Sequence, residues 1–564
     1  MSKKRQKIIM ITAVCMLTAG LALLALFFRG KTDTKSEKSA EVSLSDGNTT
    51  VKGGGVTVDG DKITITNPGT YTFSGSLSDG RIIIDVAEGT VQVTLNGVDL
   101  TSSDRDVIYS KDGADVVITA ADGTENTLTS GDEDFTADED DLDDDGSYKN
   151  KQKAVIYTKG NLSITGTGAI SITGNIYNGV QTKGTLTLEE ASITVNATQH
   201  GFKAKYGMEL VSGTYDVTSG EDGFNCELDT TISDGAYTIA AGDDGIHTDG
   251  TLTVNNGTIT VTKSEEGLEG HIVTINDGDI NITSSDDGIN ANGGNASGFG
   301  MGGGMGQPGQ DKDENFDPQN KPERPEQSTD DAGNTVDAEA ESNDSDSATD
   351  AASMKNNRPQ PPQGGNGEAP SDMPQMPDGT EEGEAPSDMP QMDEEKDKSS
   401  DDDSDSLVDS TTTPELTING GTIYINAEGD GLDSNGNITI NGGTVYVDGP
   451  SNGGNSAIDY GMENGGIFVI NGGTLTAVGM SDMLEAVDAS SEQTSIMYVF
   501  SQKVSKGTEV TVTDSDGATV FTYTPVKDAD SVILSSPDLV AGATYTFTYG
   551  EQSESFTISD VNAE

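Results

Sequence analysis

Short runs in which apolar and polar residues alternate recur along most of this chain, each bounded by Gly, Asn or Asp. Lys62-Ile63-Thr64-Ile65-Thr66, Val91-Gln92-Val93-Thr94-Leu95 and Thr258-Ile259-Thr260-Val261-Thr262 are examples. Period-two alternation sends every second side chain to one face, so each run predicts a half-buried strand. Over residues 154–489 the runs form a repeat. Its clearest mark is two acidic residues, a Gly and an apolar residue: Glu221-Asp222-Gly223-Phe224, Asp243-Asp244-Gly245-Ile246, Glu265-Glu266-Gly267-Leu268 and Asp286-Asp287-Gly288-Ile289. These glycines are 22, 22 and 21 residues apart, and weaker copies stand at Gly179-Val180 and Gly201-Phe202.

One unit holds three short strands, at residues 245–248, 251–254 and 258–262. Three strands and three turns per unit predict one coil of an all-β, right-handed parallel β-helix of about 22 residues per coil. Leu252, Val254, Ile259 and Val261 point inward at period two, as do Val273, Ile275, Ile280 and Ile282 in the next coil. Stacked coils bury a continuous core that one coil alone cannot.

Residues 293–413 break the pattern with a stretch rich in Gly, Met, Pro and acids, in which Gly-Glu-Ala-Pro-Ser-Asp-Met-Pro-Gln-Met occurs twice. So few apolar residues predict disorder. From Gly288 to Gly431 is 143 residues, and removing one coil of 22 leaves 121, about the length of the insert. The helix therefore resumes where it stopped, with Glu415-Leu416-Thr417-Ile418 as the second strand of the interrupted coil. Later coils are expected around Gly431-Leu432, Ala457-Ile458 and Met483-Leu484. The expected organisation is a leader (1–30), a linker (31–54), the helix (55–292 and 414–490) around the insert (293–413), and a small C-terminal β cap (491–564).

Composition adds compartment and charge. Lys3, Lys4, Arg5 and Lys7 precede a mostly apolar run over residues 8–28, long enough to span a bilayer. An uncleaved anchor, a cleaved signal peptide and a lipoprotein leader remain alternatives; each implies export to the cell surface or beyond, with membrane contact through this segment only. Lys+Arg 31 against Asp+Glu 96 gives a formal charge of −65, which excludes nucleic acid and anionic lipid as partners and favours cations. An acidic loop at 131–146 is either a solvated excursion or a carboxylate arm for Ca²⁺. Nothing suggests more than a monomer.

Aligning the coils produces columns. Immediately before the repeated Gly stand Asn178, His200, Asp222, Asp244, Glu266, Asp287 and Asp430; one residue earlier stand Glu221, Asp243, Glu265 and Asp286. Equivalent positions of successive coils lie roughly 4.8 Å apart. Like charges at that distance repel by roughly 1 kcal/mol in water and by several at an effective dielectric of 20. Paired, in-register carboxylates therefore predict a hard divalent cation, Ca²⁺ in an exported protein, held by Glu221, Asp222, Asp243, Asp244, Glu265, Glu266, Asp286, Asp287 and Asp430. The column after the apolar residue is polar throughout, with Gln181, Lys203, Asn225, His247, Glu269, Asn290, Asp433, Asp459 and Glu485. Of these, Lys203, Asn225, His247, Glu269, Asn290 and Asp433 are candidates to touch a substrate. Cys226 falls in a column of small residues and reads as buried packing. His247 reads as an outward polar residue, and no residue is assigned a catalytic role.

The repeated Asp-Asp-Gly-Ile with Thr-Leu-Thr-Val and Gly-Thr-Ile-Thr-Val segments resembles the bacterial family of carbohydrate-binding domain-containing proteins. Tyr71-Thr72-Phe73-Ser74-Gly75-Ser76-Leu77, Leu95-Asn96-Gly97-Val98-Asp99-Leu100 and Ser535-Ser536-Pro537-Asp538-Leu539 are similar to it as well. The likeness spans roughly residues 55–290 and 415–557. It implies a pectate-lyase-like fold, calcium at the paired acids 221–222, 243–244, 265–266 and 286–287, and binding of cellulose or an acidic polysaccharide such as polygalacturonate. Three functions follow. The first is a calcium-dependent, non-catalytic binder in which the metal bridges protein and sugar carboxylates. The second is a polysaccharide lyase, whose base must be Lys203, Lys205 or Lys183, since no Arg occurs between Arg105 and Arg324. The third is an adhesive stalk whose repeats only supply length.

Overall fold

The computed structural model describes residues 36–103, 105–131, 154–292, 412–558 and 562–563. The leader, the acidic loop and nearly all of the 293–413 insert lie outside the described residues. Among the described residues there is no α-helix, only strands and two one-turn 3₁₀ helices, Met462–Asn464 and Ser481–Met483. None is a helix long and apolar enough to cross a membrane.

From Gly69 to Ile470 each coil contributes a strand segment to each of three faces, and these segments pair in parallel with their counterparts in neighbouring coils. On the first face Phe202, Phe224, Ile246, Leu268, Ile289, Leu432 and Ile458 stack in register. On the second the line is Leu210, Ile232, Val254, Ile275, Ile418, Ile440 and Ile470. On the third it is Val217, Ile239, Val261, Ile282, Ile425, Val447 and Ala477. All are fully or almost fully buried, as are Leu252, Val273, Ile259 and Ile280. Each such side chain stabilises the fold by roughly 2 kcal/mol, and the gain exists only once a neighbouring coil covers it. This is the parallel β-helix that the alternation predicts.

The repeated glycine has a steric cause. A Cβ on Gly223 would lie 2.6 Å from the Gly245 carbonyl oxygen, and one on Gly245 would lie 2.5 Å from that of Gly267. The turn into the first face packs backbone on backbone, with the Gly223 N–H donating to the Asp244 carbonyl at 2.8 Å. No side chain fits there.

The insert leaves the register untouched. Ile272, Val273, Thr274 and Ile275 pair with Glu415, Leu416, Thr417 and Ile418, so the second strand resumes as expected. An exposed asparagine ladder crosses the same gap: Asn276 donates to Asn255, Asn419 to Asn276, Asn441 to Asn419 and Asn471 to Asn441, each at 2.9 Å.

Two boundaries differ from expectation. Part of the linker at 31–54 is structured: Lys38–Leu44 pairs in parallel with Gly69–Leu77, and Thr50–Gly53 folds back on it. Its alternation of Ala40, Val42 and Leu44, all buried, is a strand signal that lacks the turn glycines of the repeat. The expected coil at Met483-Leu484 forms no strand. Met483 is exposed at the end of a 3₁₀ turn, and only Leu484 packs against the core. The last first-face strand is Ile458–Tyr460. Beyond it the cap takes over: Thr474–Gly479 pairs antiparallel with Ala529–Ser535, which ends the parallel stack, and Ser495–Val504 follows alongside. Four further strands form an antiparallel sheet over a second core that includes Phe500, Val512, Phe547 and Tyr549.

A candidate carboxylate ladder on the first face

The acidic column stands at the turn that enters the first face, and its two members part company. Asp243, Glu265 and Asp286 are exposed and Glu221 half-exposed, whereas Asp222, Asp244 and Asp287 are buried and Glu266 and Asp430 half-buried. Asp222, Asp244 and Asp287 turn inward because each has a backbone partner one coil on, whereas Glu266 accepts from the Asn290 amide. An oxygen of Asp222 accepts the N–H of Asp244 at 3.1 Å, and Asp244 accepts that of Glu266 at 3.2 Å. Asp287 accepts from Asp430 at 2.6 Å, and Asp430 from Ser456. Asn178 does the same for His200 at 3.0 Å, and His200 Nδ1 for Asp222 at 3.3 Å. Asn178 and His200 therefore belong to the column as acceptors of the corresponding backbone N–H, a signal that was present in the sequence.

The polar column lies beside this ladder. The Asn225 amide donates to Asp222 at 2.6 Å, and that of Asn290 to Glu266 at 3.0 Å. His247 sits amid three carboxylates, with Nδ1 3.1 Å from Asp244 and against Glu269, and Nε2 3.0 Å from Asp249. Contact with Asp249 was not foreseen from sequence. His247 is thus more than an outward polar side chain. Its hydrogen bonds to Asp244, Asp249 and Glu269 outweigh the effect of burial and hold the imidazole well above its ordinary pKa, so it is an internal cation. His200 pairs with Glu221 at 3.0 Å and with Asp222 at 3.2 Å. Burial pushes Asp222 up, but its bond to His200, the two histidine charges and the Asp244 N–H prevail and hold it below the ordinary value.

Further along, such compensation fades. Burial pushes Asp244 up to about 7, opposed by His247 and reinforced by Glu269 and Asp222. Burial, with the charges of Glu269, Asp244 and Asp287, pushes Glu266 up to about 10. Burial raises Asp287 and Asp430 to about 7 each, and Asp433 to about 9 with Asp287, Asp430 and Asp459 adding to it. Asp243 rises through burial and the charges of Asp222 and Glu265. Among the described residues, no Lys or Arg pairs with any of these acids. The lysine of the polar column, Lys203, has its ammonium 3.3 Å from His200 Nε2.

Among the described residues, oxygen-rich sets close enough to share one ion occur twice, as Asp222 with Asp243 and Asp244, and as Asp244 with His247 and Glu269; within each, the ligand atoms lie within 4.8 Å of one another. The donors of the first set fit a hard cation. The second is already neutralised in part by its own imidazolium. At the next rung Gly429 replaces the first acid, and a Cβ there would strike the carboxylates of both Asp286 and Asp287. Cys226 is buried with its thiol donating to the Asp229 carbonyl at 3.4 Å, and burial pushes it up to about 11. It is packing, as the sequence implied.

This ladder stands within the part of the chain that known proteins share. The profile of the carbohydrate-binding domain-containing protein family matches residues 59–307, 391–453 and 407–553, together more than half of the chain. A carbohydrate-binding domain-containing protein of Acetivibrio thermocellus is 37% identical over 144 residues, which is 25% of this chain and 48% of that protein. The chain thus spans about half the length of the curated relative it matches. A solved structure, described as the polysaccharide lyase-like protein from C. thermocellum in a gadolinium derivative, is 29% identical with a TM-score of 0.39; it covers 43% of this chain and 100% of that one. The chain belongs to the family of carbohydrate-binding domain-containing proteins.

Proposed function

We propose that this is an exported, non-catalytic protein that binds polysaccharide through calcium held on the carboxylate ladder. The observation that carries the proposal is a line of buried and half-buried acids, Glu266, Asp287, Asp430 and Asp433, raised far above ordinary carboxylates and without a Lys or Arg partner among the described residues. Such groups persist either protonated or against a cation. Asp222, Asp243 and Asp244 supply an all-oxygen cluster, and Glu221, Glu265 and Asp286 extend it at the surface. A bound Ca²⁺ would supply positive charge and open coordination positions for sugar oxygens. Asn225, Glu269, Asn290 and Asp433 flank the ladder and orient what docks there. An acidic glycan such as polygalacturonate suits this surface, because a bridging cation resolves the repulsion between its carboxylates and those of the protein. Membership of a family of carbohydrate-binding proteins supports the polysaccharide, and the basic, apolar leader supports a place at the cell surface.

Retention on immobilised polygalacturonate and cellulose at physiological ionic strength tests this. It is expected to fall at least tenfold on chelation and to return with Ca²⁺. Undiminished retention in excess chelator overturns the metal's role. One observation keeps a lyase in play: Lys203 shares the polar column with Asn225, one coil from Asp222. Formation of unsaturated product from pectate with Ca²⁺, lost in Lys203→Ala, would replace binding by catalysis.

A further inference from the structure

The opposite edge of the first face carries a line of the other sign. Ser110, Thr158, Thr182 and Ala204 stack in register at the ends of successive strands. The next residue in each coil is a lysine: Lys111, Lys159, Lys183 and Lys205. Backbone pairing continues into this turn, with the Lys183 N–H donating to the Thr158 carbonyl at 2.9 Å and the Tyr206 N–H to that of Gly184 at 3.2 Å. The four lysines therefore follow one another along the helix axis, roughly 4.8 Å apart at the backbone. Lys111 is paired with Asp85 of the coil before it at 3.4 Å. Lys159, Lys183 and Lys205 pair with no acid among the described residues, and in the next two coils the column changes sign to Glu227 and Asp249.

Three cations in register with no acidic partner among the described residues are costly by the same Coulomb argument that applies to the acids, and in a chain of formal charge −65 they are conspicuous. Tyr206 closes the line. It is 52% exposed, its ring lies 5.8 Å from the Lys205 ammonium, and its equivalents in the two preceding coils are Gly184 and Gly160. An exposed flat ring beside a cation offers an apolar surface for the C–H face of a sugar while the ammonium takes its acidic group.

We propose that Lys159, Lys183, Lys205 and Tyr206 form a second subsite, which holds a carboxylate-bearing polysaccharide by direct ion pairing and without metal. Successive uronates of one chain laid along the axis would meet successive lysines. The same chain would continue over coils whose first-face edge carries the carboxylates. The inference shares the acidic-glycan class of the proposed function, but not its cation.

Binding of polygalacturonate fragments to the full chain in excess chelator, at about 0.01 M and about 0.15 M salt, tests it. At low salt the Debye length is about 30 Å and at 0.15 M about 8 Å, so exposed pairing is strong in the first condition and weak in the second. The expected result is chelator-resistant binding at low salt that weakens about tenfold in Lys159→Ala/Lys183→Ala/Lys205→Ala and is kept in the corresponding arginine variant. Tyr206→Ala is expected to weaken it severalfold, and a neutral glucan to bind in neither buffer. Absence of chelator-resistant binding in the unaltered protein, or its survival in the alanine variant, overturns the inference. Calcium-dependent retention at 0.15 M salt is read in parallel. Its loss with lysine-dependent binding intact removes the proposed function and leaves this subsite standing.

Discussion

Asp222 and Asp244 are joined by a hydrogen bond from the Asp244 backbone N–H to the Asp222 carboxylate at 3.1 Å, 22 residues away in sequence and one coil away in space. The carboxylate thus does structural work whether or not a cation is bound. An amide can replace it in that role, as Asn178 shows by accepting from His200 at 3.0 Å. Asp222→Asn is therefore expected to keep this hydrogen bond while losing the charge that pairs with His200, and to bind Ca²⁺ at least tenfold more weakly. Asp222→Ala leaves a buried N–H without its acceptor and should cost about 1–3 kcal/mol. Denaturant unfolding and calcium titration of both variants separate the roles. Equal stability of the two would refute the structural role, and unchanged calcium affinity in Asp222→Asn would remove it from the ligands.

The raised acids fix the direction of pH dependence. Asp244, Asp287 and Asp430 stand at about 7, Asp433 at about 9 and Glu266 at about 10, against ordinary values near 4 in the unfolded chain. Between those limits the folded state binds more protons than the unfolded one, so stability falls as pH rises. Their contribution is whole below about pH 4 and is lost progressively as pH climbs through 7 and on towards 10. In chelator, the melting temperature should drop from pH 5 to pH 9. Added Ca²⁺, which competes with those protons, should stabilise most at the alkaline end. A chelated protein that becomes more stable across that range would contradict the burial of these carboxylates.

The apolar columns were legible because period-two alternation and a 22-residue step are both properties of the string: Ile275 and Ile418 could be matched across 143 positions, and they pair. The fate of the paired acids was not, because Asp243 and Asp244 are chemically alike and adjacent. Only the backbone decides that Asp244 turns towards the N–H of Glu266 while Asp243 faces water. The division of labour at His247 was hidden for a related reason. Glu269 reaches it from the next coil, and Asp249 from two residues on in the same coil, where both side chains fall on one side of the strand. The lysine line at 159, 183 and 205 takes its meaning from which neighbours are acidic in space, which a single coil does not show.

The cap is held by a residue that no repeat pattern marks. Asp448, almost fully buried at the end of Thr444–Asp448, accepts the Tyr424 hydroxyl at 3.1 Å, the Val526 N–H at 3.0 Å and the Tyr523 hydroxyl, while Tyr523 stacks on Tyr446 at 5.6 Å. Helix and cap therefore share one carboxylate. Asp448→Ala should leave three donors unsatisfied and cost about 3 kcal/mol, with Asp448→Leu no better. Limited proteolysis should then release the segment after Gly479 before the helix is cut. Equal protease resistance of Asp448→Ala and the unaltered protein would show that the apolar contacts of the cap suffice.

Removing residues 293–411 tests whether the helix needs its insert. In the next coil, Ser434 and Asn437 are joined by the two residues Asn435 and Gly436. The deletion would join Ala291 to Glu415 by Asn292, Thr412, Thr413 and Pro414, and it would keep Thr412 within 2.9 Å of the buried His271. The strands on either side already pair in register, and Asn419 already donates to Asn276. No contact among the described residues is lost. Closing a loop of about 120 residues costs more entropy than closing a short one, by about 0.6 kcal/mol per doubling, so the deletion should leave the melting temperature unchanged or raise it. Calcium-dependent glycan retention should survive as well, because every ladder residue lies outside the deleted stretch. A shortened chain that fails to fold, or folds with a markedly lower melting temperature, would mean that the insert packs on the helix and is part of the fold.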